Sequence, residues 1–339
     1  MSGVVRWLAA AMAVAATMAF LSPPVDAEPV AASGYRVAVV KKPGANFAGL
    51  AQDGDALLVT DLAAGRFYRI SGQGAFEAFG PILPHGVDVI GDPTGPYHVF
   101  RHGSGYLVAQ GWTPNGAEET PYDHAILEID AGQVTRVLSS DFLNPYAAAI
   151  DGDTLYVVDA ARNSVERLSL DGRAKSTIVS FARLEQPQSA MQQLSPTEFG
   201  EEGTYAFDAV PTGIAVTGDR LHVSLFGGFP FLEGSGMIVS LDKAAQAPRT
   251  RIDVKYLNCP VDVAFDADGR MLVLEHGLFR QEGGFVAGSG RLLSVDVASG
   301  KREVLADGLT RPVALVALGP GRIVISGLDG TLTYLERDN

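Results

Sequence analysis

The sequence predicts an all-β fold: a six-bladed β-propeller of four-stranded antiparallel blades, closed by the N-terminal strand completing the last blade. Three observations predict it. A two-strand pattern, led by a proline and small apolar residues and turned by Asp and Gly, recurs along the chain, as in "VPTGIAVTGDRLHVSL" from Val210 to Leu225. Each copy is followed by further short β-type segments, so that units recur about every 50 residues, a period typical of propellers. The last unit stops after three strands, and an unassigned strand, "YRVAVVK", stands near the start, Tyr35 to Lys41.

The units follow in order. The first is "FAGLAQDGDALLVTD", Phe47 to Asp61, continued by "RFYRI", Arg66 to Ile70. The second is the most degenerate, around "GYLVAQG", Gly105 to Gly111, continued by "AILEI", Ala125 to Ile129. The third is "NPYAAAIDGDTLYVVD", Asn144 to Asp159, with "SVERLSL", Ser164 to Leu170. The fourth begins at Val210 and continues in "GMIVSL", Gly236 to Leu241. The fifth is "CPVDVAFDADGRMLVLE", Cys259 to Glu275, with "RLLSVDV", Arg291 to Val297, and "REVLA", Arg302 to Ala306. The sixth is "RPVALVALGPGRIVISG", Arg311 to Gly327, with "TLTYLE", Thr331 to Glu336. The turns carry residues that tolerate positive φ and close hairpins. Pairing the two termini would leave no free strand edge at the seam.

The 339 residues, 47% of them hydrophobic, suffice for a large core, and no linker divides residues 28–339, which are expected to form one domain. The net charge of −13 repels phosphate backbones and excludes nucleic acid as an expected partner. Arg6 followed by an apolar run from Trp7 to Leu21, with "VDA" at Val25 to Ala27, reads as a signal peptide of residues 1–27 cleaved after Ala27. A secreted or periplasmic protein is expected, free of the membrane after cleavage and monomeric. Cys259 is the only cysteine, which excludes an intrachain disulfide and a zinc–thiolate cluster.

Propeller geometry places the loops between second and third strands, and those leading into each blade, on one face, here called the top. The long connections gather there: Gly111 to His124, Ala182 to Ala209, Phe226 to Gly236 and His276 to Gly290. Length beyond what a hairpin needs on one face marks a working surface. These loops carry candidate ligand-binding rings, Trp112, Tyr122, Phe226, Phe229, Phe231 and Phe279, together with Phe285. The second strands end at the channel mouth in Asp61, Gln110, Asp159, Leu225, Glu275 and Gly327. Asp61, Asp159, Glu275 and the adjacent His276 are the candidate catalytic residues; the carboxylates would serve acid–base chemistry or equally hold loop backbone. No cofactor is assigned; such an acidic ring would accommodate a divalent cation or a basic ligand. Asp262 interrupts an apolar alternation and, depending on register, faces the channel or a neighbouring blade; strict alternation turns it away from the side that Val261 faces. His222 is expected in a structural role. The two "GSG" runs, at Gly234 and Gly288, lead into strands and so are not nucleotide loops.

"FDAVPTGIAVTGDRLHVSLFGGFPFLEGSGMIVSL", followed by "CPVDVAFDADGRMLVLE", resembles the ScyD/ScyE family, named for proteins of scytonemin biosynthesis. The match is strongest from Phe207 to Glu275 and collinear elsewhere; Phe226–Gly227–Gly228 departs from the family's Leu–Thr–Gly run, while "GFPF", Gly228 to Phe231, is intact. The resemblance implies an exported six-bladed propeller and brings no agreed catalytic residue. More distantly the repeat is similar to NHL, strictosidine-synthase-like and gluconolactonase-type propellers. Gluconolactonases hold a channel metal partly through Asn and Asp after the leading proline, where this chain has Thr212 and Val261. Three functions are compatible with these features. The leading one is a top-face site for a small apolar or aromatic molecule or an extracellular protein. A hydrolase or lactonase using the acidic ring and a cell-envelope scaffold are the alternatives.

Overall fold

The computed structural model describes residues 28–71, 74–88, 91–112, 120–187, 204–245 and 248–338. Six four-stranded antiparallel sheets stand around a channel, with no helix among the described residues. The innermost strands are Phe47–Asp53, Pro96–His102, Pro145–Asp151, Pro211–Thr217, Pro260–Phe265 and Pro312–Gly319. Each touches the next, and Pro312–Gly319 touches Phe47–Asp53, which closes the ring. We number the blades one to six from the sheet of Phe47–Asp53.

The seam forms as the sequence predicts. Tyr35–Lys41 pairs with Thr331–Arg337 in unbroken register, Tyr35 opposite Arg337 and Lys41 opposite Thr331. Among the strands not foreseen, Val30–Ala31 adds a fifth strand to blade five, beside Ala306 and Asp307. The N-terminal segment thus ties blade five to blade six. The predicted signal peptide lies outside the described residues.

A repeated hydrogen bond shapes the top of every blade. The residue after the second strand donates its N–H to the carbonyl of the residue before the first strand. The pairs are Leu62 to Asn46, Gly111 to Gly95, Ala160 to Asn144, Phe226 to Val210, His276 to Cys259 and Leu328 to Arg311, at 2.9 to 3.1 Å. Two concentric rings of six residues therefore surround the mouth. In blades four to six the residue before the proline adopts left-handed backbone, with φ of 48° at Val210, 49° at Cys259 and 45° at Arg311. Proline disfavours helical backbone at the preceding residue, so these positions store strain that the surrounding bonds hold.

Just below, the first and second strands slip register by a bulge in all six blades, for example between Pro211 and Ile214 and between Pro260 and Asp262. Buried hydroxyls fill the irregularity: Thr60 accepts from Gly49 N–H and Ser224 from Gly213 N–H. Blade-to-blade packing supplies the rest of the core, with apolar clusters shared by adjacent sheets. The "GSG" runs find their reason here. A Cβ on Gly236 would lie 2.2 Å from Pro260 Cδ, and one on Gly290 would lie 2.5 Å from Pro312 Cδ. Only glycine lets the third strand pass beneath the next blade's leading proline.

Candidate functional site at the channel mouth

The residues directly after the leading prolines form the waist of the channel. Tyr97 and Tyr146, from blades two and three, stack with centroids 4.8 Å apart and planes 28° apart. Together with Thr212 and Val261 they border both an upper chamber of about 200 Å³ and a lower chamber of about 290 Å³. Burial pushes both tyrosine hydroxyls well above their ordinary pKa, so they remain protonated donors.

The upper chamber opens on the top face. One wall is aromatic: Phe226 and Phe231 from blade four, and Phe285 and His276 from blade five. The opposite wall carries Asp92 and Trp112, and blade six contributes Arg311. Arg311 Nη2 pairs with Asp92 Oδ1 at 2.6 Å, and its guanidinium lies 5.7 Å from the Phe285 ring centroid. His276 Nδ1 donates to the Pro312 carbonyl at 2.8 Å, leaving Nε2 to accept from Arg311 Nε at 3.4 Å. Burial first, and the Arg311 charge second, push the His276 pKa down to about 4. The imidazole is neutral at physiological pH. Asn144 Oδ1 is buried in this wall and has no hydrogen-bond partner. A buried amide oxygen without a donor is costly unless something else supplies one.

Five of the rings anticipated from sequence meet. Phe226, Phe229, Phe231, Phe279 and Phe285 form one cluster, edge-to-face except for the tilted Phe231–Phe285 pair, with centroid separations of 5.0 to 6.3 Å. Phe229 is 48% exposed at its rim, beside Pro230 in a cis peptide. Trp112 lines the chamber from the other side. Tyr122 does not join them; it packs on the apolar core between blades one and two.

The acidic residues do something else. Asp61 accepts from the N–H groups of Asn46 and Ala63, at 3.0 and 3.1 Å. Burial raises its pKa, against those bonds. Asp159 accepts from Leu143, Asn144 and Arg162 N–H at 2.8, 2.8 and 3.2 Å. Glu275 accepts from Asn258 N–H at 2.8 Å and pairs with Arg291 at 2.6 Å. Each carboxylate clasps the segment that leads into its own blade. Among the described residues no three His, Cys, Asp or Glu side chains are placed to hold a metal ion. With Thr212 and Val261 at the waist, the channel does not fit the metal of gluconolactonase-type propellers.

Arg311, Asp92, Tyr97, Tyr146 and Asn144 were not singled out from sequence. The tyrosines follow Pro96 and Pro145 at the spacing of Thr212 after Pro211, so the repeat carried their signal. Asp92 lies in the connection from blade one to blade two, where a small ladder pairs Gly86–Val87 with Pro93–Thr94. Asp262 takes the channel-facing of its two orientations. The bulge at Val261 breaks the alternation, so Val261 and Asp262 both line the lower chamber.

Neither a described protein family nor a curated protein matches the sequence. Solved structures match in fold. They include a gluconolactonase from Xanthomonas campestris, with TM-score 0.59 and 14% identity over 91% of each chain. A luciferin-regenerating enzyme has TM-score 0.54 and 11% identity over 89% of this chain and 95% of that one. Virginiamycin B lyase from Staphylococcus aureus has TM-score 0.51 and 11% identity, covering 89% of this chain and 99% of its own.

Proposed function

We propose that this protein is an exported, monomeric propeller of ScyD/ScyE type that binds a small aromatic molecule in the upper chamber. The observation that carries this reading is the pairing of an aromatic wall with the unpartnered Asn144 Oδ1 in one cavity. The rings would stack on a flat ligand, and the amide oxygen would accept one hydrogen bond from it. The acidic ring supports this reading indirectly, since its carboxylates already hold backbone. A thermal-shift screen of phenols, indoles and aryl acids tests the proposal. A hit should lose on the order of tenfold in affinity in Phe231→Ala and in Asn144→Leu. Folded variants that keep full affinity would overturn it.

One observation favours a second reading, an enzyme of lactonase or lyase type. The neutral His276 Nε2 faces the same cavity as Arg311, and the propeller fold is shared with a gluconolactonase and a lyase. A neutral imidazole can take a proton once a substrate displaces Arg311 from Nε2, and the guanidinium can then hold a developing oxyanion. Turnover of a lactone or ester panel that disappears in His276→Asn would establish this reading.

A further inference from the structure

The lower chamber lies below the waist, and Tyr97, Tyr146, Thr212 and Val261 border it from above. Its walls join apolar side chains, Leu50, Ile214, Val263 and Leu315 from four blades with the Phe265 ring at the lower end, to nearly as much polar surface. At about 290 Å³ it is ample for one ring, since an apolar cavity of roughly 150 Å³ admits benzene. Asp262 is the one carboxylate among the described residues that line it.

That carboxylate is held but not neutralised. Oδ1 accepts from Val263 N–H and Oδ2 from Leu315 N–H, both at 2.8 Å. No lysine or arginine lines the chamber among the described residues. The titratable groups that share it with Asp262 are His98, Tyr97 and Tyr146. Burial keeps His98 neutral, with its pKa pushed down to about 4, and its Nδ1 accepts from Ala148 N–H at 3.3 Å. The tyrosines stay protonated. None of them is a counter-ion. Burial accordingly raises Asp262 to about 7. Asp262 is only partly buried, and glycine at 213 lets blade four approach it closely: a Cβ there would lie 2.6 Å from Asp262 Cα and 2.7 Å from Oδ1.

We propose that the lower chamber is a second ligand site, which takes a small organic ammonium ion carrying an aromatic or aliphatic ring. Asp262 meets the charge, and the apolar strands with the Tyr97, Tyr146 and Phe265 rings enclose the hydrocarbon. A bare metal ion is disfavoured, because one carboxylate among neutral hydroxyls and apolar walls cannot replace its hydration shell. An anion is disfavoured by the same carboxylate. An ammonium on a hydrophobic stem satisfies both features, through a charge-assisted hydrogen bond and cation–π contact.

Isothermal titration of the purified protein with benzylamine and with benzyl alcohol, a neutral molecule of nearly the same shape, tests this. Benzylamine is expected to bind on the order of tenfold or more tightly than the alcohol. At pH 6, titrations in buffers of different ionisation enthalpy should show about one proton released per amine bound, and at pH 8.5 almost none. Asp262→Asn should abolish the preference for the amine, while Phe231→Ala in the upper chamber should leave it intact. Equal affinity for amine and alcohol, or no measurable binding of the amine, overturns the proposal, and this comparison needs no variant to fold. An amine preference that survives in folded Asp262→Asn, or vanishes in Phe231→Ala, overturns it as well. Failure of the upper-chamber reading would leave these results unchanged.

Discussion

Arg311 Nε donates to His276 Nε2 across 3.4 Å, while His276 Nδ1 donates to the Pro312 carbonyl at 2.8 Å. Two bonds thus fix one tautomer, and a cation rests against the nitrogen that would otherwise take a proton. Burial is the larger cause of the depressed pKa and Arg311 the second. Arg311→Met should therefore raise the His276 pKa from about 4 without restoring the free value of 6.5. Imidazole NMR shifts followed from pH 3.5 to 8 report this directly. An unchanged midpoint in the variant would refute the electrostatic contribution.

Stability should depend on pH through two opposing sets of groups. His98 and His276 have folded pKa values of about 4 against 6.5 ordinarily, so the unfolded chain binds more protons between those limits. Stability from these groups is present above pH 6.5 and is lost as pH falls, by about 3 kcal/mol for each histidine. Asp262, raised from 3.8 to about 7, works the other way: the folded protein holds the extra proton, and stability falls as pH rises through that range. Asp262→Asn removes the second contribution alone. The stability of the variant relative to wild type should grow with pH by about 1.4 kcal/mol per unit between pH 4 and 7. Urea midpoints across this range measure it, and a constant difference would show that Asp262 does not titrate there.

The frame was legible because it is periodic. Proline-led strands, Asp–Gly turns and the orphan strand at Tyr35–Lys41 each state a local rule that the closed ring satisfies. The upper chamber was legible only in part, because it is assembled from single positions taken once from each blade. Phe226, His276 and Leu328 are equivalent residues after second strands, and Asn144, Val210 and Arg311 are equivalent residues before first strands. Reading one blade shows a ring, an imidazole or an amide; only superposing six shows that they face each other. Asp262 was obscured for a different reason. A bulge at Val261 changes which side its side chain faces, and no residue type announces that bulge.

The clamp role of the mouth carboxylates gives a stability prediction. Asp159 takes three backbone N–H groups and sits 3.6 Å from Arg162 Nε. Asp159→Ala leaves those donors without their acceptor in a buried site. The expected loss is about 3 kcal/mol, since an unmet buried donor costs more than a bond contributes. Chemical denaturation should show a lower midpoint with little change in slope. A variant of wild-type stability would return Asp159 to candidacy as a functional carboxylate.

The seam sets the last prediction. Seven residue pairs join Tyr35–Lys41 to Thr331–Arg337, and the Tyr35 hydroxyl takes the Arg337 guanidinium at 3.1 and 3.2 Å. Lys42 N–H continues the contact by donating to the Gly330 carbonyl. A chain beginning at Lys42 would leave Thr331–Arg337 as an open edge carrying unpaired N–H and C=O groups, a template for another strand. It would also uncover one side of Leu332 and Leu335, both fully buried in the intact ring. Loss of several kcal/mol in a protein of this size should lower Tm by roughly 10 °C or more and promote self-association. A chain beginning at Tyr35 separates the two N-terminal strands: it drops Val30–Ala31 from blade five but keeps the seam, and it should lose only a few degrees. Melting curves and size-exclusion profiles of the three chains decide the matter. If the chain from Lys42 were monomeric and as stable as the one from Glu28, closure by the N-terminal strand would not be what holds the ring shut.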